Sequence, residues 1–153
     1  MTALYETHLP VGDLGRSTAF YRDVVGLTPA FAQPERGVGF FWVGSRERGM
    51  VGLWEPGGLY GWSSEQRHHC HFAIAVELDE LFAAIPRLQK LGIKVTGFDG
   101  AAASEPSVIG WMPSAQVYFN DPDGHVLELI SLLPDKPVLS FFGCWSDWRK
   151  QHG

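Results

Sequence analysis

Apolar and polar positions alternate with period two from Tyr5 to Val11, so Tyr5, Leu9 and Val11 share one face of a strand and Glu6, His8 and Pro10 share the other. The same alternation returns from Cys70 to Val76. Cys70, Phe72, Ile74 and Val76 form a bulky packing face, opposite His69, His71, Ala73 and Ala75. Further short apolar runs read as strands at Leu27 to Phe31, Val38 to Val43, Met50 to Glu55, Lys94 to Gly97, Gln116 to Phe119 and Val126 to Ser131. Between these runs the period changes to that of a helix. Asp13 opens an amphipathic stretch through Phe20, Tyr21, Val24 and Val25 that ends at Gly26, and Asp79 opens another that ends at Gly92. Asp suits the helix N-cap because its carboxylate accepts early N–H groups, and Gly suits the left-handed position after the last turn. Pro86 falls inside the second helix and is expected to kink it or delay its start.

The order is therefore βαβββ, twice. The expected class is α+β: two paired βαβββ modules forming a cupped mixed sheet around a central cavity, with a short C-terminal helix. The modules span residues 1–58 and 67–134, joined by a Gly- and Ser-rich linker at 59–66, and a helical tail occupies 135–153. Residues Phe98 to Ser114 read as one long loop with an apolar tip at Ile109, Trp111 and Met112, of a length often found in lids and binding loops. The tail carries Phe141, Phe142, Trp145 and Trp148 at helical spacing.

Composition narrows the function. With 45% apolar residues in 153, the chain can fill a core without disulfides or structural metals. Its 12 Lys and Arg against 17 Asp and Glu give a net charge of −5 with no basic run, which argues against nucleic acid or an anionic membrane as partner. No signal-like or membrane-length apolar segment occurs, so the expectation is a cytoplasmic protein binding a small molecule. Cys70 and Cys144 are in no metal or redox spacing and are expected as reduced thiols. His68 and His125 fall in a linker and a turn, where solvation is expected, and His69 reads as a rim residue.

Candidate chemistry follows from aligning the two halves. Setting Val11 against Val76 gives an offset of 65, which places Glu6 opposite His71. Glu128 lies within the apolar strand Val126 to Ile130, where an unpaired carboxylate costs several kcal/mol and so calls for a cation, a metal or a proton. Glu55 ends the corresponding strand of the first half. Glu6, His71, Glu55 and Glu128 could thus converge on one point, with His8 an alternative to Glu6 on the same strand face. Imidazole and carboxylate together suit Zn, Ni, Co, Mn or Fe(II).

Two segments, Leu9-Pro10-Val11-Gly12-Asp13-Leu14-Gly15-Arg16-Ser17-Thr18-Ala19-Phe20-Tyr21 and Tyr118-Phe119-Asn120-Asp121-Pro122-Asp123-Gly124-His125-Val126-Leu127-Glu128, resemble the vicinal oxygen chelate superfamily. That group includes glyoxalase I, fosfomycin and bleomycin resistance proteins and extradiol dioxygenases. The resemblance implies paired modules, usually in homodimers, around a divalent metal. It matches His71 and Glu128 to metal ligands, sets Glu6 or His8 at the first-strand ligand position, and offers Glu55 as a fourth ligand. Glu128 or Glu55 is then the carboxylate that moves a proton. Tyr118 matches a substrate-side tyrosine of the fosfomycin enzymes, but Ala101 to Gln116 contains no Lys or Arg to grip a phosphonate. Trp54 and Trp111 suggest a more apolar ligand. The leading expectation is a metal-dependent lyase or isomerase that chelates vicinal oxygens of a small, partly apolar substrate. The alternatives are a metal-free, bleomycin-resistance-like sequestering protein and an Fe(II) ring-cleaving dioxygenase with His8 as ligand.

Overall fold

A computed structural model describes residues 3–57 and 68–152. The linker expected at 59–66 lies outside the described residues. The chain divides into two compact units: Met1–Cys70 with Asp121–His125, and His71–Asn120 with Val126–Gly153.

In the first unit, β1 (Glu6–Pro10), β2 (Thr28–Gln33), β3 (Val38–Trp42) and β4 (Met50–Trp54) form a sheet of order β1-β4-β3-β2. β1 and β4 run parallel and the other pairs antiparallel. The helix α1 (Leu14–Ala19) starts where Asp13 accepts the Arg16 N–H and continues into a π-helical segment, Phe20–Val25. It stops at Gly26, whose φ of 88° is the left-handed value its sequence position implies. Leu9, Phe41 and Leu53 turn one sheet face into a core with Leu14 and Tyr21 of the helix. Burying each such side chain contributes about 1.5–3 kcal/mol.

The second unit repeats the order. Its sheet, β5-β8-β7-β6-β9, comprises β5 (His71–Ala75), β6 (Ser107–Ile109), β7 (Ser114–Asn120), β8 (Val126–Leu132) and β9 (Phe142–Cys144). Again the first strand pairs in parallel with the last strand of its module. Helix α2 (Leu78–Lys90) buries Leu81, Ala84, Ile85 and Leu88. The expected mixed sheet is thus divided into two, one per module.

Several boundaries differ from the sequence expectation for identifiable reasons. Helix α2 is capped by Glu77, not Asp79: Glu77 and the Glu80 side chain form a reciprocal capping box. Pro86 does not interrupt the helix, and its exposed position lies between the buried Ile85 and Leu88. Lys94 to Gly97 provides only bridges at Thr96, to Ala102 and Tyr118. The segment read as one loop contains β6, which pairs with β7 and β9. In the tail, Phe142 belongs to β9, while Trp145 and Trp148 lie on α3 (Trp145–His152).

Candidate metal and substrate site

The first residue of β5 is His71, and its ladder to β8 sets Ala73 opposite Glu128. Glu128 in turn stands opposite Tyr118 on β7. One face of the second unit's sheet therefore carries an imidazole, a carboxylate and a phenol on three neighbouring strands. His71 Nδ1 lies 3.1 Å from the Val126 carbonyl. A carbonyl only accepts, so Nδ1 carries a proton, and in the neutral ring Nε2 is left with a lone pair. That Nε2 lies 3.2 Å from Glu128 Oε2. The His71 side chain is 52% exposed and that of Glu128 only 9%, so the pair has one open side.

Two acceptor atoms at this distance repel unless a proton or cation lies between them. Donors each about 2.1 Å from a common ion stand roughly 3 Å apart, so the pair fits two positions of a divalent site. The Nδ1–H to carbonyl bond is the kind of outer contact that fixes a ligating histidine. Burial pushes the Glu128 carboxyl up from the ordinary range, opposed first by the neighbouring His71 when both of its ring nitrogens carry protons and then by the Tyr118 hydroxyl. The Tyr118 hydroxyl is itself pushed up to about 12, first by burial and then by the Glu128 charge, so it remains a donor at neutral pH.

In the first unit, the same register sets Glu6 opposite Met50 and His8 opposite Gly52. Glu6 opens β1 as His71 opens β5, so Gly52 occupies the position that Glu128 has in the second unit. A Cβ on Gly52 would stand 2.7 Å from His8 Nδ1, 2.9 Å from Phe40 Cε1 and 3.1 Å from Trp54 Nε1. There is no room for a carboxylate. Trp54, 4% exposed, donates its indole N–H to His8 Nδ1 at 2.7 Å, and His8 Nε2 lies 3.4 Å from Glu6 Oε1.

Glu55 does not join this face. Its carboxylate accepts the Leu14 N–H at 2.7 Å and so satisfies a free donor at the start of α1. Strand alternation is the reason: Trp54 shares the face of His8, and the next residue turns toward the helix. Trp111 is 55% exposed between β6 and β7. Among the described residues, no three His, Cys, Asp or Glu side chains group closely enough to hold a metal.

His125 departs from the expected solvated turn. It is 1% exposed, with Nε2 donating to the Pro10 carbonyl at 2.7 Å and Nδ1 accepting the Cys70 N–H at 3.0 Å. The turn containing it is a structural staple of the first unit. Asp123 accepts from the Gly12 N–H, the Arg16 guanidinium and the Ser17 hydroxyl, each at 2.9 Å. Asp121 accepts from the Tyr21 hydroxyl, also at 2.9 Å. These residues come from the two segments that carried the family resemblance, so much of that signature encodes hydrogen bonding within the fold.

Each of the two units is thus a βαβββ module of like strand order, and the second presents a histidine and a carboxylate on its sheet face. The chain belongs to the Glyoxalase/Bleomycin resistance protein/Dioxygenase superfamily, whose family model matches residues 3–129. It is 31% identical over 134 residues to a lactoylglutathione lyase of Salmonella typhimurium, covering 83% of this chain and 90% of that one. Among solved structures, an integron cassette protein from the mobile metagenome of the Halifax Harbour sewage outfall superposes with a TM-score of 0.72 at 30% identity, covering 86% of this chain and 100% of that one. A lactoylglutathione lyase from Agrobacterium tumefaciens gives 0.65 at 27% identity, covering 86% and 94%.

Proposed function

We propose that the protein is a divalent-metal-dependent lyase or isomerase acting on a small, partly apolar substrate with vicinal oxygens. The observation that carries this reading is the His71–Glu128 pair, with the imidazole tautomer fixed by Val126 and two lone-pair atoms 3.2 Å apart. In this reading His71 and Glu128 hold the metal, which when bound supplies Lewis-acid stabilisation of oxygen charge. Tyr118 lies on the same face directly across the ladder from Glu128, with its hydroxyl available to the carboxylate and to substrate. The Glu128 carboxyl, pushed up by burial, is the group on this face placed to hold or pass a proton. Lactoylglutathione, the compound in the names of relatives at 31% and 28% identity, is the first substrate to assay. A homodimer and a cytoplasmic location belong to the same proposal.

The test is activity before and after chelation, with readdition of Zn2+, Ni2+, Co2+, Mn2+ or Fe2+. Activity removed by chelator and restored by metal is expected. Activity indifferent to both contradicts metal dependence. One observation favours a second reading, a metal-free binding protein: the described residues contain no group of three ligating side chains. Quenching of Trp fluorescence by planar ligands in fully metal-free protein, without turnover, would support it.

A further inference from the structure

We propose that His8 is held in one tautomer by Trp54, with Nδ1 accepting and the ring proton on Nε2, and that it is not a metal ligand. The indole Nε1–H can only donate, so His8 Nδ1, 2.7 Å away, must accept. In the neutral ring the proton then sits on Nε2, which lies 3.4 Å from Glu6 Oε1 without hydrogen-bond geometry. With one nitrogen accepting and the other protonated, the ring offers no lone pair to a metal unless the Trp54 contact breaks. This is the reverse of His71, where Nδ1–H donates to the Val126 carbonyl and, in the neutral ring, Nε2 is left open.

The internal symmetry of the fold shows what permits this arrangement. His8 is the counterpart of Ala73, and Gly52 the counterpart of Glu128, because the pairs His8↔Gly52 and Ala73↔Glu128 occupy the same register in the two parallel ladders. In the second unit a small residue on the first strand makes space for a carboxylate on the last. In the first unit the large and small residues are exchanged. His8, Phe40 and Trp54 close over Gly52, with His8 to Trp54 and Phe40 to Trp54 ring centroids both 5.8 Å apart. The first unit thus contains a Trp54→His8 donor–acceptor pair, in which Trp54 is a positioning residue for the His8 ring.

Long-range 1H–15N NMR of the histidine side chains in wild-type, metal-free protein tests this directly. The expected spectrum shows His8 protonated at Nε2 with an acceptor-type Nδ1, and His71 in the opposite tautomer. Trp54→Phe keeps the aromatic packing but removes the donor, and Gly52→Ala forces the three side chains apart, so both should shift His8 toward a mixture of tautomers while leaving His71 unchanged. A His8 spectrum with Nδ1 protonated, or one indifferent to Trp54→Phe, overturns the proposal. Added Zn2+ gives a second arm, resting on the metal reading above: it should move the His71 signals and not those of His8. The expected affinity changes are about threefold at most for His8→Ala, against more than about tenfold for His71→Ala, the range for losing a ligand or its outer partner. Direct Zn2+ coordination at His8 overturns the proposal. If no Zn2+ binds, the metal reading fails while the tautomer measurement still decides the role of His8.

Discussion

Asp123 shows how one carboxylate can act as a structural centre. Burial alone would raise its pKa, but the Gly12 N–H, the Ser17 hydroxyl and the Arg16 guanidinium outweigh that effect and hold it below its ordinary value of 3.8. A depressed carboxyl contributes stability that is present above its unfolded pKa and lost as pH falls through the folded value. Asp123→Asn should therefore cost about 2 kcal/mol at pH 7, measured by urea denaturation. The gap from wild type should narrow once the pH drops below the ordinary Asp range; a gap independent of pH would contradict the electrostatic part. The placement of His71 and Glu128 was legible because strand alternation and an apolar neighbourhood both constrain them. The Trp54–His8 bond was not, since it joins residues 46 apart and depends on a ladder register that alternation within one strand does not fix. Glu55 and His125 were misread for a related reason. Each sits at the end of a strand or in a turn, where the partner is a backbone group supplied by another segment.

At the scale of elements, the repeated βαβββ order was readable because apolar periodicity and the glycines at 26 and 92 mark both modules. What escaped were β6 and β9, three residues each, too short to establish a period and formed only because each has a partner strand. Helix α3 was expected from aromatic spacing, and Trp148 explains why it forms. Its ring is fully buried, 4.9 Å from Phe141 and stacked 3.9 Å from His152, and its indole N–H donates to Asp135 at 2.8 Å. Trp148→Ala should destabilise the protein by about 3–5 kcal/mol. Loss of less than about 1 kcal/mol in equilibrium unfolding would mean that α3 adds little to the second unit, contrary to the typical cost of such a truncation.

For the whole molecule, the two modules share a strand order but not a chemistry. The second presents histidine, carboxylate and tyrosine on one sheet face, whereas the first fills the equivalent position with glycine and covers it with His8, Phe40 and Trp54. The family signature was legible across nearly the entire chain, yet much of it encodes the Asp121–Asp123 staple, and so it identifies the superfamily better than it identifies a reaction. In the proposed function the chemistry depends instead on which side chains keep open lone pairs, and that is decided by hydrogen bonds seen only in the folded chain. The most direct test of the central claim is metal content by elemental mass spectrometry of untagged wild-type protein beside His71→Ala and Glu128→Ala. About one divalent ion per chain in the wild type, lost in both folded variants, is the predicted result. Wild-type protein that remains metal-free after incubation with Zn2+, Ni2+, Co2+, Mn2+ and Fe2+, or variants that retain a full complement, would contradict it.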